Sequence, residues 1–268
     1  MNITMSIEKP TTETKPVDPE RQAKEERLQR ARSEVESMRD REGKLLDNGI
    51  KETVVHCMAL GLPTEQSCEG HLEQDKGFPT PWVSFKALGR PTWWYEGQKE
   101  IWEEVAREYG MLLEDVQSFA NEKAYYEAQK REGDFMRVHK TEEDGVEEVS
   151  LIMTPEYQEW QKKNEALKNR LQNLMKEFNL SGNIKGTHKE LVLTEDGDTL
   201  TLHPGAVDYQ RHFDAKIHEE GSARPDNPED YKALGVRLHE YQDEMKDFNS
   251  FLEACYFSRG FDISALEE

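Results

Sequence analysis

Three stretches of this chain begin a helix with the same pattern, and this pattern limits the fold more than any other feature. A capping residue precedes proline and glutamate at Asp18-Pro19-Glu20, Thr154-Pro155-Glu156 and Asn227-Pro228-Glu229. The first side chain accepts a hydrogen bond from a free amide, proline has no N–H to satisfy, and glutamate meets the positive end of the helix dipole. The pattern therefore predicts three helix starts, at Pro19, Pro155 and Pro228.

Apolar residues follow the second and third starts at alternating intervals of three and four. The two series are Tyr157, Trp160, Asn164, Leu167, Leu171, Leu174, Phe178 and Leu234, Leu238, Tyr241, Met245, Phe248, Leu252, Cys255. This spacing is typical of a coiled-coil-like seam, in which a polar residue such as Asn164 fixes the register. A similar but less regular pattern predicts a further helix over about 96–131.

Strand and turn signals lie between the helices. Asp144-Gly145 and Asp196-Gly197 predict two hairpins, and Trp82-Val83-Ser84-Phe85 predicts a strand. The fold class is therefore α+β, with long amphipathic helices and coiled-coil-like seams packed with small antiparallel sheets or hairpins. We divide the chain into a disordered tail (1–17), a long N-terminal helix (18–47), a small α/β element (48–95) and a helical layer with two hairpins (96–268).

Charge and cysteine usage exclude several classes of partner. The chain carries 55 acidic and 35 basic residues, a net charge of −20, which opposes binding to nucleic acid or an anionic membrane. No apolar run is long enough to span a bilayer. Cys57, Cys68 and Cys255 are odd in number and widely spaced, so they predict reduced thiols and a cytoplasmic location rather than a disulfide framework.

The residues with useful chemistry concentrate in the segment that follows Gly61-Leu62-Pro63. Ser67-Cys68-Glu69-Gly70-His71 brings a thiol, a carboxylate and an imidazole within four residues. A neighbouring imidazole can lower the pKa of a thiol and make it a nucleophile. We predict Cys68 as the nucleophile or ligand, His71 as its proton partner and Glu69 as the orienting group.

Four further residues are predicted to form the binding part of this site. Thr64 and Ser67 supply hydroxyls, Gly70 permits a tight turn with exposed amides, and Trp82 on the next strand would line a pocket. The alternative is that the segment is only a structural turn, with Cys68 as a small buried hydrophobe.

A metal site is the weaker interpretation of the same segment. Cys57, Cys68 and His71 have the spacing Cys-x10-Cys-x2-His, but a structural zinc site takes four ligands, and only His56 is near in sequence. The histidines and aspartates in 203–218 do not converge on one ion if they lie on a helix. We therefore assign no metal ligands and leave the cofactor open.

Two resemblances rest on these residues. Ser67-Cys68-Glu69-Gly70-His71, followed by Pro81-Trp82-Val83, resembles uncharacterised bacterial proteins of a family of unknown function, and this implies no activity. The pattern Thr64-x-x-Ser67-Cys68-x-Gly70 is similar to the Thr-x-Ser-Ser-Cys-x-Gly motif of the wybutosine-synthesising tRNA methyltransferases. That similarity implies that the four matched residues line a cofactor and substrate site, although His71 stands where that family carries arginine.

The function therefore has a leading hypothesis and two alternatives. The leading hypothesis is a cytoplasmic protein that binds an unknown small ligand, or performs thiol-assisted chemistry, at the Cys68–His71 loop. The first alternative is a helical interaction or scaffold protein whose seams at 157–178 and 234–255 pair with each other or with another chain. The second, implied by resemblance alone, is a nucleic-acid-modifying methyltransferase-like protein. The sequence does not decide whether the protein is an enzyme.

Overall fold

The computed structural model describes residues 18–39, 43–72, 80–138, 152–181, 190–205 and 228–258. The described residues form two compact units. The first unit takes its residues from Met1–Phe85, Glu177–Thr194 and Thr201–Glu268, and the second from Lys86–Lys176 and Glu195–Leu200. The predicted tail, the hairpin at Asp144-Gly145 and the histidine-rich stretch after Gly205 lie outside the described residues.

Helices dominate the fold, and four strands form one small antiparallel sheet in the order β1-β2-β4-β3. In chain order the elements are α1 Pro19–Ser37, α2 Asn48–Ala59, β1 Thr64–Cys68, β2 Trp82–Phe85, α3 Gln98–Glu108, α4 Leu113–Gln117, α5 Glu122–Val138, α6 Pro155–Leu180, β3 Leu191–Asp196, β4 Thr199–Pro204 and α7 Pro228–Phe257. The predicted α+β class and the predicted strand β2 are confirmed.

The three predicted helix starts are confirmed. Asp18 Oδ1 accepts a hydrogen bond from the Glu20 N–H at 3.1 Å at the start of α1. Thr154 Oγ1 accepts from the Tyr157 N–H at 3.2 Å at the start of α6. Helix α7 begins at Pro228. These starts are predictable because a cap and a proline act on the backbone of their own first turn.

The single helix predicted over 96–131 is wrong, because the structure has α3, α4 and α5 there. Gly110, with a φ of 65°, follows the end of α3, and Phe119, with a φ of 62°, lies between α4 and α5. Asn121 Oδ1 then accepts from the amides of Lys123 and Ala124 at 3.1 and 3.2 Å, so α5 begins with its own cap.

Two other boundaries differ from prediction. Helix α1 ends at Ser37 rather than at residue 47, and the loop of the hairpin predicted at Asp196-Gly197 is Gly197-Asp198.

The core of the first unit is built around α2, which contacts α1, α7 and β1. Phe178 and Phe248 meet edge to face there, with ring centroids 5.2 Å apart.

The residues predicted as seams on α6 and α7 belong to both units and are mostly buried within the chain: Tyr157, Trp160, Asn164, Leu167, Leu171, Leu174, Phe178, Leu234, Leu238, Tyr241, Met245, Phe248 and Leu252. None of the described helices combines the length and the apolar character that crossing a membrane requires.

The second unit contains an aromatic cluster with a polar network beside it. Tyr157 stacks between Trp94 and Trp160, with centroid distances of 5.8 and 5.5 Å. The Tyr157 hydroxyl donates to Asp198 Oδ1 at 3.0 Å, and the Arg90 guanidinium pairs with the same carboxylate. Arg90 also lies over the ring of Trp94, 4.2 Å from its centroid. Trp94 therefore anchors its loop on the core.

Asn164, which was predicted to fix the register of a seam, is buried and bonds to backbone groups within the second unit. Its Oδ1 accepts from the Ala87 N–H at 2.9 Å, and its Nδ2 donates to the Asp198 backbone oxygen at 3.0 Å. Because the residue keeps only 8% of its surface exposed, both ends of the amide need such partners.

Candidate functional site

The predicted loop begins at the end of a strand and returns to the beginning of a helix. Cys68 is the last residue of β1, and His71 follows it by three residues. Asp47 is the N-cap residue of α2, and its Oδ2 accepts from the Glu69 N–H at 3.3 Å. The fold therefore brings Asp47, Cys68 and His71 together.

These three side chains form a compact cluster of possible ligand atoms. The Asp47 Oδ2 and His71 Nε2 atoms are 3.1 Å apart. One carboxylate oxygen, the Cys68 sulfur and one ring nitrogen all lie within 4.8 Å of one another. Cys68 keeps 5% of its surface exposed, whereas the side chains of His71 and Asp47 are 15% and 34% exposed. The cluster is thus covered on its sulfur side and more open on its carboxylate side.

Sequence reasoning missed Asp47, which lies more than twenty residues before the loop. A signal was present, because Asp47 precedes the short helix α2 at the position where aspartate commonly acts as a cap. Its side chain makes no capping hydrogen bond to α2. The carboxylate is directed instead to the Glu69 amide and the His71 ring.

Glu69 has the position that an ordinary cap would have. Its Oε2 accepts from the Gly49 N–H at 2.6 Å, in the first turn of α2. A carboxylate is favourable there, because it meets a free amide and the positive end of the helix dipole. Glu69 thus fastens the loop to α2, while Asp47 is the carboxylate in contact with the imidazole.

Gly70 permits the close approach on which this geometry depends. Its φ is 81°, in the left-handed region, and a Cβ at this position would lie 2.8 Å from backbone atoms of Thr80 and Pro81. The Gly70 N–H also donates to the Cys68 sulfur at 3.4 Å. Only glycine fits this position without moving the neighbouring segment.

Helix α7 holds the same loop from another side. The Gln242 Nε2 donates to the backbone oxygens of Glu69 and Gly70 at 3.1 and 3.4 Å. Gln242 was not predicted, because no local pattern indicates which polar residue of a helix will meet a distant loop.

The predicted binding residues are spread along the sheet. Trp82 on β2 pairs with Cys68, so their side chains lie on the same face. Ser67 pairs with Val83, and strand alternation directs its side chain to the opposite face from Cys68. Thr64 pairs with Phe85 at the other end of β1, more than about 10 Å away along the strand. Of the three predicted binding residues that lie on strands, Trp82 is therefore the one directly opposite Cys68.

The other candidate ligands belong to the core. Cys57 has no exposed surface, and His56, 2% exposed, contacts Asn249 Oδ1 through Nδ1 at 2.7 Å. Neither residue belongs to the cluster around Cys68. Cys255 has a different environment, in which burial and the nearby charge of Glu177 raise the pKa of its thiol.

Comparisons with protein-family models, with curated proteins and with solved structures found no match. Both sequence resemblances therefore stay predictions. The function has to be argued from the chemistry of the site itself, where a thiol, an imidazole and a carboxylate meet beside backbone amides. Such a group can transfer a proton from sulfur or hold a metal ion.

Proposed function

We propose that this protein binds a small ligand through the sulfur of Cys68. His71 is the proton partner of the thiol, and Asp47 is the carboxylate that orients the imidazole. The observation that carries the proposal is the 3.1 Å contact between Asp47 Oδ2 and His71 Nε2, in a cluster that includes the sulfur. A carboxylate on one ring nitrogen fixes the tautomer and the orientation of an imidazole.

The chemistry follows from this arrangement. When an electrophile approaches, His71 takes the thiol proton, and an electron pair of the sulfur forms the new bond. A leaving group on the electrophile departs with its own electron pair. Asp47 stabilises the imidazolium, and the Gly70 N–H, which donates to the sulfur at 3.4 Å, stabilises the negative charge.

Burial limits the size of the ligand. Because Cys68 is only 5% exposed, a group in contact with its sulfur is an ion or a few atoms in size. The side chain of Asp47 is 34% exposed, so the ligand approaches from the carboxylate side.

Alkylation of the metal-free protein by iodoacetamide at neutral pH, followed by peptide mass mapping, tests this proposal. We expect His71→Gln to slow the labelling of Cys68 at least about tenfold, because the variant lacks the proton acceptor. The matched control is His239→Gln, which changes an exposed histidine on α7. Cys255 serves as an internal reference in every sample. Equal labelling of Cys68 in the wild type and His71→Gln, or no labelling in the wild type, contradicts the proposal.

The scaffold alternative has its own test. The seam side chains of α6 and α7 are buried in one chain, so a partner would need other apolar residues. Leu180 on α6 is 75% exposed and Val236 on α7 is 57% exposed. If the protein associates through these helices, Leu180→Asp and Val236→Asp reduce its mass in light scattering without unfolding it. A wild-type monomer excludes self-association.

A further inference from the structure

We infer that the ligand of this centre is a zinc ion held by Asp47, Cys68 and His71. The inference rests on the proposed function, because it names the ligand of the same sulfur. It goes further by assigning a metal, a set of three ligands and a free coordination position.

The donor set selects the class of metal. Magnesium and calcium take oxygen ligands, so a site that includes a thiolate and an imidazole does not suit them. Zinc accepts sulfur, nitrogen and carboxylate oxygen together. A thiolate and a carboxylate also supply two negative charges, which balance the charge of Zn²⁺. The acidity of the whole chain, with a net charge of −20, favours the approach of a cation.

The distances fit a tetrahedral centre after a small adjustment. Zinc bonds of about 2.0–2.3 Å place neighbouring ligand atoms roughly 3.3–3.7 Å apart. Asp47 Oδ2 and His71 Nε2 are already 3.1 Å apart, and all three ligand atoms lie within 4.8 Å of one another. An adjustment of about an ångström or less in the cluster therefore suffices.

Contacts that do not use the ligand atoms of Cys68 and His71 hold the surrounding backbone in place. The Glu69 carboxylate bonds to the Gly49 amide at 2.6 Å, which joins the loop to the start of α2. Gln242 bonds to the backbone oxygens of Glu69 and Gly70, which joins the loop to α7. A loop that is fixed in this way needs little reorganisation to bind a metal.

Burial and ligand number indicate how the ion is used. A buried sulfur suits a metal ligand, which needs no access for a large substrate. Three protein ligands leave one tetrahedral position for water or a small molecule, as in catalytic zinc sites. On binding, the thiol proton passes to the buffer, and the ion replaces any proton shared between His71 and Asp47.

The first measurement is a zinc titration of the full chain, free of affinity tag and kept reduced, in competition with a chromophoric chelator. We expect one zinc ion per chain. Cys68→Ser, His71→Gln and Asp47→Asn each weaken binding about 100-fold, because each variant loses a ligand. The matched controls are Cys255→Ser and Asp243→Asn, the latter on an aspartate whose side chain is 71% exposed. Both controls leave the affinity unchanged within about twofold.

The second measurement keeps the inference falsifiable if a ligand variant does not fold. Cobalt(II) added to the wild-type protein gives a thiolate-to-metal charge-transfer band and the intense visible bands of a tetrahedral ion. Zinc added before iodoacetamide slows the labelling of Cys68 and leaves the labelling of Cys255 unchanged. Both readouts use the native sequence, so they do not depend on a substitution.

The outcomes separate the inference from the proposed function. No zinc binding, with fast alkylation of Cys68 that depends on His71, overturns the zinc inference and supports the proposed function. Zinc binding that Cys68→Ser leaves unchanged also overturns the inference, because the ion is then held elsewhere. No zinc binding together with an unreactive Cys68 overturns both. Stoichiometric binding that is lost in the three ligand variants supports the zinc inference, and it supports both when alkylation of the metal-free protein also depends on His71. The same binding with an unreactive Cys68 supports the zinc inference and overturns the role of His71 as a proton acceptor.

Discussion

Two aspartates organise polar clusters in the two compact units, and the clusters differ in the groups that their carboxylates meet. Asp198, in the second unit, meets the Arg90 guanidinium and the Tyr157 hydroxyl, which both keep their protons at neutral pH. Asp47, in the first unit, meets a backbone amide and the His71 imidazole, with the Cys68 thiol close by. An imidazole and a thiol can exchange a proton near neutral pH, and they can exchange it for a metal ion.

This difference shows how partners decide the role of a carboxylate. In the second unit, Arg90 is also held over Trp94, and Tyr157 is stacked between two tryptophans. A permanent charge pair that aromatic rings hold in place stabilises the fold and does not supply a set of metal ligands. In the first unit, the His71 imidazole and the Cys68 sulfur beside Asp47 can each bind either a proton or a metal ion. The Asp47 cluster is therefore the functional candidate, and the Asp198 cluster is structural.

The largest expected effect comes from Gly70→Ala, which disrupts the Asp47 cluster and leaves the Asp198 cluster intact. The new Cβ meets backbone atoms at 2.8 Å, and the residue keeps an unfavourable φ of 81°, so we expect a loss of about 3–5 kcal/mol in the free energy of unfolding. Urea denaturation measures the loss. The matched control is Gly43→Ala, because Gly43 has a φ of 80° but nothing within 4 Å of its Cβ position. Its expected cost is about 1–2 kcal/mol, and equal costs would show that the loop is not tightly packed.

The next effect comes from making the same aspartate-to-asparagine substitution in each cluster. Asp198→Asn removes the charge that Arg90 and Tyr157 share, so we expect a loss of about 2 kcal/mol in the free energy of unfolding and no change in zinc affinity. Asp47→Asn has the opposite pattern, with a loss of less than about 1 kcal/mol and weak zinc binding. Urea denaturation and zinc titration on both variants check the two halves. The same losses in both variants would remove the distinction between the clusters.

The smallest effect concerns how the Asp198 cluster makes the free energy of unfolding depend on pH. Burial raises the pKa of Tyr157, and the hydrogen bond and charge of Asp198 raise it further. The unfolded chain therefore loses the phenolic proton first, at a pH of about 10, and the stabilisation present below that pH decreases as the pH rises through the folded value. We expect the free energy of unfolding to fall less steeply above pH 10 in Tyr157→Phe than in the wild type, measured by denaturation at a series of pH values. Parallel curves for the two proteins would assign the dependence to other groups.

Local rules account for the parts of this fold that were predictable. Asp18, Thr154 and the prolines that follow them set helix starts through contacts within one turn. The strand Trp82–Phe85 follows from its own apolar and aromatic residues. The helix predicted over 96–131 fails for a related reason. Apolar spacing continues through it, but the positive φ of Phe119 and the cap at Asn121 divide it.

The sequence by itself determined that Cys68 and His71 are near each other, because only Glu69 and Gly70 separate them along the chain. It did not determine their carboxylate partner. Asp47 reaches His71 because α2 and β1 fold back on each other, and Glu69, which is adjacent in sequence, is bound to α2 instead. Sequence spacing limits distance only over a few residues. The third member of the site was therefore decided by the packing of α2 against β1, which the tertiary structure alone supplies.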